Sequence, residues 1–267
     1  MIEPKYQTLN GLFSDRVFRI PEYQRFYSWL PKQREDLFGD IRELAKKGED
    51  RHHFMATIVC FRTQDVKPVG SLEYRTYDVV DGQQRLTTLI LIMKAIQKQL
   101  EAGDEKTDIS KILVKGDANL LLLQTNNSNR RLLDDYLKHG KHPAKDQIKT
   151  YADRNLRSAI HDCERFVTDW LADAGNLMGL LRLLRNRLGF VVYDTDDNKI
   201  VYSVFEVLNS RGLDVDWLDK SKSALMGRAF ELAKSADAGA AKIDELHKLW
   251  EKPMSGWPWS RCRGKRY

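Results

Sequence analysis

The chain has 267 residues, 42% hydrophobic and 31% charged, enough for one large or two small domains with a real core. No apolar stretch approaches the ~20 residues that span a bilayer, and MIEPKYQTLNG lacks the basic-then-apolar order of a signal peptide, so a cytoplasmic protein without membrane partners is expected. The formal net charge of +6 suits a polyanionic partner such as DNA, while Cys60, Cys163 and Cys262 show no CxxC spacing and indicate neither a disulfide framework nor a zinc site.

In chain order, LNGLFSD reads as a short helix or turn and Val17–Ile20 as a short strand closed by Pro21. Pro31 opens a helix with Leu37, Phe38, Ile41, Leu44 and Ala45 on one face. HFMATIVCF and YRTYDVV are β-branched and aromatic, and predict a hairpin whose long tip is the polar loop TQDVKPVGSLE. A helix follows from Gln83 to about Leu100, on the spacing of Leu86, Leu89, Ile90, Met93 and Ile96.

The middle of the chain is mainly helical with a polar interruption. LLDDYLKHG is a helix stopped by Gly140. YADRNLRSAIHDCERFVTDWLADA carries an apolar stripe from Leu156 to Leu171, and RLGFVVYD is a short buried strand. Two more helices are predicted in DTDDNKIVYSVFEVLNSRG and LDVDWLDKSKSALMGRAFELA, before a basic end, GWPWSRCRGKRY. The fold class is therefore α+β. Residues 1–100 form a small mixed sheet with helices, and residues 101–267 a helix-rich region with a basic C-terminal tail.

Three polar clusters stand out from this pattern. In YDVVDGQQRLTT a strand meets Asp81-Gly82 and a helix opened by Gln83, Gln84 and Arg85. The first turn of a helix has unpaired N–H groups and partial positive charge, a glycine admits close approach, and an arginine fork matches phosphate oxygens. Asp81 either caps the helix or helps to hold a metal ion or a ribose. A capped structural turn explains the same residues, and the residues alone leave both readings open.

IPEYQRFYSW interleaves Tyr23, Gln24 and Arg25 with further aromatics, which suits stacking on a base beside a phosphate, although Tyr27 and Trp29 also read as core. FEVLNSRG sets Asn209 and Arg211 in a polar turn that a helix C-cap explains except for Arg211. A P-loop and a GxGxxG are absent. The histidines, His52-His53 and His139/His142 among them, are read as surface residues with no metal role.

Taken together, IPEYQRFYSW, YDVVDGQQRLTTL and FEVLNSRGLDVDWLDKSKSAL resemble the hallmark segments of the N-terminal domain of GmrSD-type restriction endonucleases, over roughly residues 8–226. The resemblance implies a ParB/sulfiredoxin-like fold and a nucleotide-binding, NTP-hydrolysing module of a restriction or anti-phage system acting on modified DNA. It implies that Asp81, Gly82, Gln83, Gln84, Arg85 and Thr87 hold the nucleotide phosphates. Tyr23, Gln24 and Arg25 line the same cleft, and Asn209 with Arg211 closes it.

Asp81, Gln83, Gln84 and Arg85 are the expected catalytic residues, with Mg2+ and a nucleoside triphosphate as cofactors. Gln83 or Gln84 orients the attacking water. Family members commonly continue into an HNH-like nuclease domain, and this chain ends first, so cleavage is expected of a separate nuclease subunit rather than of this polypeptide. A non-catalytic DNA-binding module or a truncated regulatory subunit is the alternative.

Overall fold

The computed structural model describes residues 4–21, 24–49, 51–116, 120–125 and 130–196. The chain divides into two compact units, residues 1–201 and 202–267, and the second lies outside the described residues, as do the two helices expected after residue 196.

The first unit is α+β. Its elements in chain order begin with β1 (Pro4–Thr8), α1 (Leu9–Leu12), β2 (Arg16–Ile20), α2 (Pro31–Ala45), β3 (His53–Val69), β4 (Leu72–Asp81) and α3 (Gln83–Gln99). They continue with α4 (Asp104–Leu113), the short strands β5 (Val114–Lys115), β6 (Leu120–Leu121) and β7 (Leu123–Thr125), α5 (Arg130–His139), α6 (Tyr151–Ala174), α7 (Leu177–Arg187) and β8 (Leu188–Thr195). Six strands form one mixed sheet in the order β1-β8-β3-β4-β2-β7, and β5 pairs with β6 separately.

The sheet draws on both sides of residue 100, since β8 runs between β1 and β3 and β7 extends the edge beside β2. Register explains which face is apolar. Phe18 lies opposite Tyr77 and Leu123, Cys60 opposite Val79, and Val192 opposite Ile58, and all of these side chains enter one core with the helices.

The polar stretch expected to be a loop between β3 and β4 is strand as far as Val69, with the turn at Gly70 and a register shift between Arg62 and Val66. Two hydroxyl bonds hold this irregular ladder: Thr63 Oγ1 donates to Thr76 O at 2.8 Å and accepts from Asp65 N at 3.1 Å. Side chains that read as loop-forming thus serve as sheet partners.

Helix α3 is buried along most of its length, and α6 packs against it. A capping box opens α6: Thr150 Oγ1 accepts from Asp153 N at 3.1 Å, and Asp153 Oδ2 accepts from Thr150 N at 2.8 Å. At the other end Gly175 takes φ +64°, the left-handed conformation that stops a helix. Phe38 of α2 stacks on Phe166 of α6 with ring centroids 4.5 Å apart.

Beside that stack Arg34, 0% exposed, donates to Asp162 Oδ2 from Nε at 2.9 Å and to Trp29 O and Ser158 Oγ. A guanidinium so buried stays folded only while its partners remain. Asp162→Ala is therefore expected to lower stability by about 3 kcal/mol, read from the urea midpoint at neutral pH.

Candidate functional site

Strand β4 buries Val79 and Val80 and ends at Asp81, and Gly82 then turns the chain into α3 with φ +90°. Both conformation and space require glycine here. A Cβ at this position would lie 3.1 Å from Ile58 Cγ1 and 3.2 Å from Thr57 O, on the neighbouring strand β3. No side chain caps α3, and the first α-helical bond is from Leu86 N to Gly82 O at 3.0 Å, so the N–H groups before it have no partner within the helix.

Burial raises the Asp81 carboxyl above the usual carboxylate range, against the opposing pull of the Gly82 amide and the charges of Arg85 and Arg25. Asp81 is thus a partly desolvated acid that two arginines reach electrostatically.

The two glutamines that follow are buried, and their amides turn toward the segment 24–28, which has no regular secondary structure. Gln84 Nε2 donates to Phe26 O at 3.1 Å while its Oε1 accepts from Ser28 N at 2.9 Å. Gln83 Nε2 donates to Arg25 O at 3.1 Å and to Gln24 Oε1 at 3.3 Å. Gln24 in turn donates to Val80 O of β4 at 2.8 Å.

These amides therefore satisfy backbone groups that a part-buried, irregular segment would otherwise leave unpaired within the protein. The hydroxyl of Thr88 donates to Gln84 O at 2.8 Å, which leaves Tyr27 as the donor in its 2.9 Å contact with Thr88 Oγ1. Burial pushes the Tyr27 hydroxyl far up its scale, so it remains a neutral donor.

With the segment fixed this way, Arg25 and Arg85 are both exposed, and neither makes an ion pair or hydrogen bond from its side chain to another described residue. Phe26, 40% exposed, lies next to Arg25. A cleft of about 310 Å³, its open mouth included, has Arg25, Tyr27, Gln83, Gln84, Thr87 and Thr125 among its lining residues.

Of the residues expected in the site, Gln24, Arg25, Asp81, Gly82, Gln83, Gln84, Arg85 and Thr87 meet at this junction; Asp81, Gly82 and Arg85 are not part of the cleft lining. The Thr87 hydroxyl is bonded to Gln83 O at 2.8 Å within its own helix. Tyr23, Asn209 and Arg211 lie outside the described residues. Ser28 and Thr88 were not foreseen as participants, because their roles run through a backbone N–H and an i,i+4 hydroxyl bond that have no sequence signature.

The profile of the GmrSD restriction endonuclease N-terminal domain matches residues 9–226, a span that holds the whole junction. The chain belongs to this family. No curated protein matches it in sequence. Membership of the GmrSD family makes the chain part of a restriction system, and no helix among the described residues is long and apolar enough to cross a membrane.

In this GmrSD N-terminal domain two substitutions test the junction. Gly82→Ala is expected to cost about 1–3 kcal/mol, from strain at positive φ and the approach to Ile58 and Thr57, read by thermal or urea unfolding. Asp81→Asn is expected to raise the melting temperature at neutral pH. A carboxyl with a raised folded pKa disfavours folding once ionised, so the gain should shrink as pH falls through the carboxylate range and vanish below the unfolded pKa.

Proposed function

We propose that the chain is a nucleotide-binding and NTP-hydrolysing module of a GmrSD-like restriction system, with the triphosphate held at the start of α3. The observation that carries this reading is the side-chain amide lattice of Gln24, Gln83 and Gln84. It sets Arg25 beside the unpaired N–H groups of the α3 first turn while leaving the guanidinium uncommitted. A neutral lattice leaves the positive charge of Arg25 and Arg85 available for phosphate oxygens, where planar forks bind two oxygens at once.

Each residue then has a distinct role. Gly82 lets the phosphates approach the backbone, and the amides of Gln83–Arg85 donate to them. Arg85 and Arg25 bind the outer phosphate oxygens more strongly as charge builds on them in the transition state. Gln84 is spent on both ends of its amide and acts as a positioning residue. Gln83 Oε1 has no hydrogen-bond partner among the described residues and is the acceptor available to orient an attacking water.

Asp81 is a carboxylate whose desolvation outweighs the pull of Arg85 and Arg25, a condition that a further cation relieves, and it is the residue that would hold Mg2+ through water. That ion would supply charge neutralisation between the phosphates. Tyr23, Asn209 and Arg211, which lie outside the described residues, are assigned to nucleotide binding in this reading. DNA and a separate nuclease subunit are the macromolecular partners.

A non-catalytic DNA-binding role is the second reading, favoured by the exposed Phe26 beside Arg25, an arrangement suited to stacking on a base. Calorimetry with non-hydrolysable triphosphates and phosphate-release assays distinguish the two. Arg85→Ala and Arg25→Ala are each expected to weaken triphosphate binding by about tenfold or more, the worth of a charge-assisted bond, without lowering the melting temperature. Unchanged triphosphate affinity in both variants, or none in the parent, contradicts the nucleotide site; lost DNA affinity in the same variants then supports the second reading.

A further inference from the structure

Helix α3 is about 25 Å long at 1.5 Å per residue, and a second polar cluster sits at its C-terminal end, away from the nucleotide junction. His161 and Glu164 are three residues apart on α6 and so share a face. His142 joins them from the connection between α5 and α6. One ligand atom from each of the three lies within 4.8 Å of the other two. The sequence pairs His142 with His139, whereas in the fold its partner is His161, with ring centroids 5.0 Å apart.

One pair of the three already has the spacing of metal ligands. His142 Nε2 is 3.1 Å from Glu164 Oε2. Two donors each about 2.0–2.1 Å from a tetrahedral ion stand about 3.3 Å apart, so this pair already has nearly the separation that one small ion imposes. Two imidazoles with one carboxylate favour zinc and its transition-metal neighbours over magnesium or calcium, which take oxygen donors.

A cation already occupies this position in the form of a side chain. The Lys98 ammonium is 2.5 Å from Glu164 Oε1, 3.2 Å from His142 Nε2 and 3.4 Å from Gly140 O. His142 Nε2 is the ring nitrogen that faces both the Lys98 ammonium and Glu164 Oε2. The other ring nitrogen, Nδ1, is buried with no hydrogen-bond partner. With Nε2 unprotonated, its lone pair is directed at the position where a metal would sit. Tyr136 donates to Glu164 Oε1 at 3.1 Å and fixes the carboxylate, as a supporting shell does around a metal ligand. His161 is exposed, so the cluster has an open side for entry and for a water ligand.

We propose that His142, His161 and Glu164 form a site for a divalent transition-metal ion of the zinc class, and that the Lys98 ammonium is an internal cation that competes with the metal. Binding swings the half-exposed Lys98 side chain out to solvent and ties the α5–α6 connection directly to α6.

The test uses the untagged full chain and Zn2+ alone, titrated against a chromophoric chelator, with melting temperatures measured alongside. The parent is expected to hold one more tight equivalent than His161→Ala, in which affinity at this site falls at least tenfold with no loss of stability, because His161 is exposed. Lys98→Met is expected to bind zinc several-fold more tightly than the parent. The other histidines remain in every variant, so the differences isolate this cluster. The proposal is overturned if His161→Ala and Glu164→Gln bind zinc as the parent does, if Lys98→Met weakens binding, or if neither parent nor Lys98→Met binds zinc.

Discussion

Gln84 donates to Phe26 O and accepts from Ser28 N, and the geometry of the candidate site follows from that two-ended bond. An amide is neutral and carries both a donor and an acceptor, so it can replace two missing backbone partners without the desolvation cost of a buried charge. Each such bond contributes about 1 kcal/mol net, but leaving a buried group unpaired costs about 1–3 kcal/mol, so the segment 24–28 is fixed mainly by what its alternatives would cost. Because amides do this work instead of carboxylates, no acid is added to Asp81 beside Arg25 and Arg85. A structural choice and an electrostatic one are made by the same residues.

The framework around the lattice explains why it stays in register. Gly82 lies against Thr57 and Ile58 of β3, which sets where α3 starts relative to the sheet. Gln24 is tied to Val80 on β4, and Tyr27 to Thr88 one turn further along α3. Arg34 then anchors the start of α2 to α6 and also holds Trp29 O, the carbonyl that directly follows the stapled segment. The chain from Gln24 to Arg34 is thus held at both ends by buried polar groups. Helix α3 carries the proposed triphosphate site at its first turn and the Lys98 cluster at its last, so one helix connects the two proposed sites.

Much of this was legible in residue order. The helix beginning at Gln83, the stop at Gly140, the amphipathic helix over residues 151–174 and the paired strands before Asp81 follow from periodicity and turn chemistry. The excess polarity of Gln83, Gln84 and Arg85 was visible as an anomaly, and the matching segments around Gln24 and Asn209 pointed to the family that residues 9–226 match. What the sequence could not show is how the amides are used. A glutamine suits a ligand and a distant backbone carbonyl equally well, and the partners of Gln84 lie 56 and 58 residues away. The strand character of residues 63–69 was hidden for a similar reason, since Thr63 pairs through its hydroxyl at a register shift. The convergence of His142 with His161 and Glu164 depends on how a connection folds back on α6, which no spacing rule records.

The central claim is that Gln84 binds the segment carrying Arg25 to the first turn of α3. Amide hydrogen exchange at Ser28, in the parent and in Gln84→Leu, tests it most directly, because the Ser28 N–H bonds to the Gln84 side chain. Slow exchange at Ser28 in the parent, turned fast in Gln84→Leu while amides in the middle of α3 stay protected, is the predicted result. Exchange at Ser28 as fast in the parent as in an unstructured peptide, or unchanged by the substitution, would contradict the account.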